Sequence, residues 1–350
     1  MVMPQRFRWV FGFLVLGLSG ALVGAAPGAV SAEAARARCR TTAYVTNGVS
    51  SSVSTIDVKT RTKNPTDIAF DSLPSGVAVT PDGKAAFVTH VFSGTVSTID
   101  VKTRTANPAG ITVGSRPAGV TVTPDGKTAF VTNNASGTVS TIDVESRTTK
   151  ATDIPVGSGP VGAAITPDGK TAFVTNNASG TVSTIDVKTT NKHATDIPVG
   201  SAPFGVAITP DGTTAFVTNN GSGTLSTIDV KTRTKNPTDI PVGTNPKGVA
   251  VTPNGKTVFV TNANPGAEPA PSGDSVSTID VKTRTKNPTD IPVGSLPFRV
   301  AITPDGKTAV VTNGGGGTVS TIDVKTRTKN PTDIAVGTDP IEVAVTPCHR

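Results

Sequence analysis

The sequence is poor in the residue types from which most catalytic and metal sites are built. Its 350 residues include 2 cysteines, 3 histidines, 1 tryptophan and 1 tyrosine, and 4% of them are aromatic. Two cysteines exclude a small disulfide-framework protein, and so few rings exclude a core built on aromatic side chains. The histidines, His90, His193 and His349, lie too far apart in the predicted topology to share a metal ion or an acid–base pair. We therefore expect neither a metal nor a cofactor.

Charge is sparse as well. Only 16% of the residues are charged, and the formal net charge of +7 falls to +5 once the two arginines Arg6 and Arg8 are removed. This small excess is spread along the chain and lacks the basic stripe typical of nucleic-acid-binding proteins. We therefore expect no nucleic-acid partner.

The first 32 residues have the three-part pattern of a secretory signal peptide. Two arginines precede an apolar run over residues 9–23, and small residues follow as far as Ala32. We expect cleavage after Ala32, with Ala26 as the alternative site, and a secreted, periplasmic or cell-surface protein. Residues 33–350 then form a single domain without a transmembrane span. If the apolar run is retained, it is long enough to anchor the chain in a membrane.

The remaining sequence is an internal repeat. Each unit contains a Ser-Thr-Ile-Asp run, and successive copies are 43 residues apart except for one step of 51. A period of about 40–45 residues with four short strands per unit is typical of a β-propeller blade. The longer step reflects an insertion of eight residues within 263–274. The aspartates that end the runs are Asp57, Asp100, Asp143, Asp186, Asp229, Asp280 and Asp323.

Each repeat contains four runs rich in Val, Ile, Ala and Thr. In representative copies these runs are residues 77–80, 128–133, 139–144 and 153–156. Pro-Asp-Gly separates the first run from the second, and Asn-Asn-Ala-Ser-Gly separates the second from the third; both are typical reversal sequences. The pattern predicts an all-β fold, a seven-bladed β-propeller with four antiparallel strands per blade.

The chain begins and ends within a repeat, which predicts how the ring closes. It opens with a second-type strand at residues 43–47 and finishes with a first-type strand at residues 342–346. We expect the C-terminal strand to join the N-terminal blade as its innermost strand, because closure removes both free sheet edges. Aligned on the repeat, Cys39 and Cys348 both fall on the Asp position of the Pro-Asp-Gly turn. We therefore predict a Cys39–Cys348 disulfide, which an exported location permits.

The second-strand motif is similar to that of a known family. Tyr-Val-Thr-Asn or Phe-Val-Thr-Asn begins at Tyr44, Phe130, Phe173, Phe216 and Phe259. With the flanking Pro-Asp-Gly-Lys and Ser-Thr-Ile-Asp-Val, the chain resembles the YVTN-family β-propeller repeat over about residues 41–347. The resemblance implies a seven-bladed propeller of the YncE-like kind found in exported bacterial and archaeal proteins. Related propellers include lactonases, so the resemblance implies a fold and a location but no single chemistry.

Departures from the repeat mark a candidate ligand site. Two residues after the proline that begins each first strand, five copies have Gly, but the last two have Arg299 and Glu342. Lys247 lies one position earlier in the preceding repeat, and the insertion contributes Glu268 and Asp274. All five lie on the face that carries the second-to-third and blade-to-blade connections, which we call the loop face. We predict that they bind a ligand; the alternative is an Arg299–Glu342 ion pair that only decorates the seam.

The opposite face, which we call the turn face, carries the first-to-second and third-to-fourth connections. One consensus repeat places four cations and three aspartates there. Mixed charge of this kind is typical of a solvated rim, and polyanion binding through residues such as Lys231, Arg233 and Lys235 is the alternative.

These features favour an exported, monomeric, non-enzymatic scaffold that binds an unidentified protein, polymer or cell-envelope component. A lactonase-like hydrolase or a lyase, acting at the central opening through Arg299 and Glu342, is the alternative. The scarcity of histidine and of clustered acids counts against an enzyme. Several ionisable side chains converging on the axis would favour an enzyme, whereas an axis lined by Val, Ala, Thr and Gly would favour a scaffold.

Overall fold

The computed structural model describes residues 41–107, 109–150, 152–264 and 274–347, which form a ring of seven antiparallel sheets. The predicted signal peptide at residues 1–32, the predicted Cys39–Cys348 disulfide and Glu268 lie outside these residues. The described ranges contain no helix, and so none long and apolar enough to cross a membrane. The predicted all-β, seven-bladed propeller is confirmed.

Three six-residue strands form the body of each sheet, or blade. The blades are numbered from the one that holds both ends of the described chain. The inner strands of blades 1 to 7 are Pro340–Val345, Pro74–Val79, Pro117–Val122, Pro160–Ile165, Pro203–Ile208, Pro246–Val251 and Pro297–Ile302. The second strands are Thr42–Asn47, Ala85–His90, Thr128–Asn133, Thr171–Asn176, Thr214–Asn219, Thr257–Asn262 and Thr308–Asn313. The third strands are Ser52–Asp57, Thr95–Asp100, Thr138–Asp143, Thr181–Asp186, Thr224–Asp229, Ser275–Asp280 and Thr318–Asp323.

The fourth, outer strand is broken into two short segments that both pair with the third strand. A polar connection that contains Asn-Pro in five copies lies between the segments, and proline cannot donate to a ladder. The first segments are Thr62–Lys63, Thr105–Ala106, Thr148–Thr149, Thr234–Lys235, Thr285–Lys286 and Thr328–Lys329, and blade 4 has an isolated bridge between Ile185 and Lys192 instead. The second segments are Ile68–Ala69, Ile111–Thr112, Ile154–Pro155, Ile197–Pro198, Ile240–Pro241, Ile291–Pro292 and Ile334–Ala335.

The C-terminal strand closes the ring as predicted. It pairs antiparallel with the N-terminal strand, with Tyr44 opposite Ala344 and Val45 opposite Val343. The Thr346 N–H donates to the Thr42 carbonyl oxygen at 2.9 Å. Blade 1 is therefore assembled from the two ends of the described chain, which leaves neither end as a free sheet edge.

The core lies between neighbouring blades. Phe173 in the second strand of blade 4 packs with Ile197 against Ala215, Val217 and Ile228 of blade 5. Its ring is fully buried, as are the equivalent aromatic rings at positions 44, 87, 130, 216 and 259. A fully buried ring of this size contributes roughly 2–3 kcal/mol. The motif's aromatic position is therefore explained by packing between blades.

A belt of threonine hydroxyls joins the blades around the axis. The Gly162 N–H donates to the Thr175 hydroxyl at 2.9 Å, and this hydroxyl donates to the Phe204 carbonyl of the next blade at 2.8 Å. The same pair of bonds recurs at Thr46, Thr89, Thr132, Thr218, Thr261 and Thr312. The belt explains why the motif contains threonine, and it fixes the second and third residues of every inner strand.

Candidate functional site

The seven inner strands surround the axis, since each packs against the inner strands of both neighbouring blades. Their pairing with the second strands is irregular between the first and fourth residues of each inner strand. A bulge of this kind redirects side chains locally. The inner strands begin at the loop face, so the redirected second and third residues lie near the loop-face end of the central channel.

Side-chain contacts across the ring show which of these residues point into the channel. Arg299 in blade 7 stacks on Phe204 in blade 5, with the guanidinium carbon 4.8 Å from the ring centroid. Blade 6 lies between these two blades, so the Arg299 side chain must reach towards the axis to make this contact. It converges there with side chains from blades 5, 6 and 1.

Arg299 and Glu342 meet as an ion pair. The Arg299 Nε and Glu342 Oε2 atoms are 2.9 Å apart, and the side chains are 12% and 20% exposed. Burial raises the pKa of the Glu342 carboxyl above its ordinary value, and the charge of Arg299 counters this only in part. The ion pair between Arg299 and Glu342 is therefore present, and it places a desolvated carboxyl of blade 1 beside a cation of blade 7.

The glycines at the equivalent position of the other blades have no room for a side chain. A Cβ atom on Gly119 would lie 2.5 Å from the Val161 carbonyl oxygen, and one on Gly205 would lie 2.5 Å from the Lys247 carbonyl oxygen. These close approaches to backbone cannot be relieved by a side-chain rotation. Blades 7 and 1 are thus the two places in the ring where this position carries a functional group.

Lys247 joins the cluster through a second aromatic ring. Its Nζ lies 4.1 Å from the centroid of Phe298, and the rings of Phe298 and Phe204 meet edge to face with centroids 5.4 Å apart. Burial lowers the pKa of the Lys247 ammonium, the charge of Arg299 lowers it further, and the Asp339 carboxylate opposes both. Lys247, Arg299 and Glu342 therefore lie in one cluster, and ligand binding by this cluster stays a prediction.

Asp274 has a different environment from the other predicted site residues. Its Oδ1 accepts the Asn264 N–H at 2.8 Å, and its Oδ2 accepts the Leu296 N–H at 3.0 Å. Oδ1 thus ties the end of the insertion to its beginning, and Oδ2 ties it to the connection that leads into blade 7. Glu268, the other residue predicted from the insertion, lies outside the described residues.

Sequence reasoning missed Phe204 and Phe298. In chain order, the second residue of the seven inner strands is Ser, Ala, Val, Phe, Lys, Phe and Ile. The lysine in this set, Lys247, lies between the two phenylalanines in the ring. This alternation was the available signal. It was overlooked because an apolar residue in a strand ordinarily indicates packing, and the ring contacts depend on the bulge.

The loops above the cluster also depart from the repeat. In blades 3 and 4, Asn134 and Asn177 donate to the carbonyl of the next blade's inner-strand proline at 3.3 and 3.2 Å. The equivalent residues of blades 7 and 1 are Gly314 and Gly48. The bridging amide side chains are therefore missing over the sector that holds Arg299 and Glu342.

The turn face presents paired charges. Lys63 and Asp67 form an ion pair at 2.7 Å, and the equivalent pairs recur at Lys192–Asp196, Lys235–Asp239, Lys286–Asp290 and Lys329–Asp333. A groove of about 470 Å³ lies on this face between residues 287–292 and 326–331. Within the ranges that the structure describes, no three His, Cys, Asp or Glu side chains are grouped so that they could hold a metal ion.

The chain matches the family model of the lactonase seven-bladed β-propeller over residues 34–201 and 147–267, which is more than half of its length. The chain belongs to this family. The matched part includes Lys247 and ends before Arg299 and Glu342. No curated protein is similar enough to count as a match.

Solved structures from several bacteria have the same fold. Hydrazine synthase of Kuenenia stuttgartiensis is 24% identical, with 80% of this chain and 91% of that chain covered and a TM-score of 0.70. The periplasmic gluconolactonase of Pseudomonas aeruginosa is 17% identical, with 88% and 99% covered and a TM-score of 0.71. A functionally unknown protein from Desulfotomaculum acetoxidans is 16% identical, with 88% and 99% covered and a TM-score of 0.74. At these identities the similarity establishes the fold.

Family membership overturns the prediction of a non-enzymatic scaffold, and the alternative, a lactonase-like hydrolase, fits better. The prediction failed because it searched for histidines and for acids close together in sequence. Three ionisable side chains from three different blades converge in the folded ring instead. This convergence was the feature expected of an enzyme.

Proposed function

We propose that the protein is a lactonase-like hydrolase that opens a cyclic ester with water at the loop-face end of its channel. The observation that carries this proposal is the meeting of Arg299 and Glu342 at the axis of a chain that belongs to the lactonase propeller family. The site combines a carboxyl whose pKa is raised by burial with cationic donors beside it. Such a combination suits acid–base catalysis next to a developing negative charge.

The residues have distinct roles in the proposed reaction. The Glu342 carboxylate accepts a proton from the attacking water, whose oxygen bonds to the lactone carbonyl carbon. Arg299 and Lys247 donate to the carbonyl oxygen as it becomes negative. The ring C–O bond then breaks, and the departing alkoxide takes the proton back from Glu342. The product is the open hydroxy acid, and the enzyme is unchanged.

Three finer proposals accompany the activity. The Tyr-Val-Thr-Asn motif at Tyr44 and its phenylalanine variants support membership of the YVTN, YncE-like group within the wider family. The signal-like pattern at residues 1–32 supports an exported enzyme with a lactone substrate outside the cytoplasm. Ring closure, which leaves neither end of the described chain as a sheet edge for a second copy, supports a monomer.

Acid release from lactones at constant pH tests the proposal. The full-length protein is compared with Arg299→Gly and Glu342→Gly, because glycine occupies this position in five blades and is compatible with the fold. We expect the protein to hydrolyse glucono-δ-lactone or a simple aliphatic δ-lactone faster than the buffer does. We expect each variant to lose about 10²-fold or more in kcat/KM.

The matched control is Lys286→Thr. This substitution removes a turn-face cation from the 2.7 Å pair with Asp290 and installs the residue found at the equivalent position 149 of blade 3. Its kcat/KM should equal that of the unmodified protein. Hydrolysis no faster than buffer across the lactones, or equal rates for Glu342→Gly and the unmodified protein, would reject the proposed function.

A further inference from the structure

Four side chains in the channel form a continuous row, with two aromatic rings in the middle and a cation at each end. Lys247 Nζ lies 4.1 Å from the centroid of Phe298, the Phe298 ring meets the Phe204 ring at 5.4 Å and 78°, and Arg299 lies 4.8 Å from Phe204. The row crosses blades 5, 6 and 7 in the order Arg299, Phe204, Phe298, Lys247. Each ring therefore contacts one cation with its face and also contacts the other ring.

The two rings interact electrostatically with the cations in addition to packing against them. Arg299 and Lys247 carry like charges, the charge of Arg299 lowers the pKa of the Lys247 ammonium, and both side chains are partly removed from water. The face of an aromatic ring is negative and attracts a cation within about 6 Å of its centroid. Both contacts fall inside this distance. Each ring therefore stabilises one of two cations that repel each other.

We infer that Phe204 and Phe298 are positioning residues that hold Arg299 and Lys247 in the channel, where the two cations face the substrate carbonyl. This inference rests on the proposed function, because it assigns the direction of the two cations to catalysis. Phe298 positions Lys247, and Phe204 positions Arg299 opposite its partner Glu342. The rings touch no reacting atom and act only through the cations.

Stepwise fluorination of each ring separates this role from simple packing. Mono-, di- and trifluorophenylalanine are incorporated at position 298, and separately at position 204, in the full-length protein. Fluorine withdraws electron density from the ring face and weakens its attraction for a cation, with little change in ring size. Any role that depends on volume and burial alone is preserved through the series.

The first measurement follows the Lys247 amine without using catalysis. Its reactivity with trace acetic anhydride is recorded against pH by peptide mass spectrometry, with Lys282 as the internal reference. Fluorination leaves the burial of Lys247 unchanged but weakens the attraction of the ring for the Lys247 ammonium. The pH midpoint of Lys247 reactivity should therefore fall with each fluorine added at position 298. We expect the ammonium-to-amine ratio of Lys247 to decrease about 2- to 10-fold over the series. An unchanged midpoint would overturn the inference.

The second measurement is lactone hydrolysis by the position 204 series. We expect kcat/KM to fall stepwise, about 2- to 30-fold in total, with Phe204→Tyr close to the unmodified protein and Phe204→Leu close to the trifluoro variant. Val161→Ala, at the equivalent position of blade 4, is the matched control and should leave both measurements unchanged. A flat series with full activity for Phe204→Leu would overturn the role of Phe204.

The two measurements distinguish this inference from the proposed function. A falling Lys247 midpoint in a protein that hydrolyses no lactone would support the Phe298 contact and reject only the proposed hydrolase. Active enzyme with a constant midpoint would support the hydrolase and reject the positioning role.

Discussion

The Thr46 hydroxyl accepts a hydrogen bond from the Glu342 backbone N–H at 2.9 Å, although the two residues stand 296 positions apart in the chain. The same hydroxyl donates to the Ser75 carbonyl oxygen at 2.6 Å. One buried side chain thus joins the N-terminal strand, the C-terminal strand and the inner strand of blade 2. The bonds that close the ring are the same as those that join the blades elsewhere.

Removal of this hydroxyl should weaken ring closure. Thr46→Val keeps the shape of the side chain but leaves the Glu342 N–H and the Ser75 carbonyl without this partner, which costs about 1–3 kcal/mol for buried groups. Thr175→Val, within continuous chain, should lose a similar amount. Thr105→Val, at an exposed hydroxyl, should change the free energy of unfolding by less than about 0.5 kcal/mol. Urea denaturation measures all three, and an unaltered midpoint for Thr46→Val would contradict the role of the belt.

The Arg299–Glu342 pair should show coupling in a double-mutant cycle. Each single glycine variant leaves one partly buried charge without its partner, whereas the double variant restores the sequence of the other five inner strands at this position. Since the side chains retain 12% and 20% exposure, we expect a coupling free energy of about 1–2 kcal/mol, below that of a fully buried pair. Additive losses in thermal or urea unfolding would show that the ion pair contributes no stability.

The pH dependence of hydrolysis should report the raised pKa of Glu342. A general base works as the carboxylate, so kcat/KM should rise with pH as Glu342 loses its proton, at a pH above that of an ordinary glutamate. In Glu342→Gln this limb of the profile should disappear along with most of the activity. Initial rates between pH 4 and 8, corrected for hydrolysis by buffer, measure it. A limb that persists in Glu342→Gln would assign the base to another group.

Acid should destabilise the fold through its turn aspartates. Hydrogen bonds from threonine hydroxyls hold the pKa of Asp82, Asp125, Asp168 and Asp211 below the ordinary value. A lowered folded pKa gives stability that is present above the unfolded value of about 3.9 and is lost as pH falls through the folded value. The contribution of these aspartates to the melting temperature should therefore be constant above about pH 5 and should be lost below about pH 4.

Blade 6 supplies the control for this prediction, because Asn254 naturally replaces the turn aspartate there. A variant with asparagine at all four positions should have a shallower decline of melting temperature between pH 4 and 2. Glu342 has the opposite sign: its folded pKa is raised, so its contribution is present below the unfolded value and is lost as pH rises. Superimposable acid curves for the variant and the unmodified protein would contradict the assignment to the turns.

The Cys39–Cys348 disulfide remains a prediction from the repeat alignment. The nearest described pairing, Thr42 with Thr346, already brings the two ends of the described chain together. Protein isolated from an exporting host should show no free thiol in denaturant, and Cys39→Ser should lower stability by up to roughly 5 kcal/mol in the loop-entropy model. Two titratable thiols in the unreduced protein would show that the disulfide does not form.

Most of the fold could be predicted from the sequence because every repeat has the same local pattern. The second strand Thr128–Asn133 was predicted residue for residue, and the partial repeats at the chain ends predicted how the ring closes. Seven copies of one pattern average out the ambiguity of any single strand. The inner and outer strands were the exceptions. The inner strand predicted at residues 77–80 runs over Pro74–Val79, because it continues through the bulge to the proline, and the outer strand is broken by a polar loop with proline.

The sequence by itself determined which positions depart from the repeat, and so it identified Lys247, Arg299 and Glu342. Only the tertiary structure decided what those departures do. The stacking of Arg299 on Phe204 and the ion pair with Glu342 depend on the direction in which side chains leave a bulged strand and on the width of the closed channel. These quantities arise from the packing of all seven blades, and no local pattern encodes a contact between side chains that point at one axis from different blades.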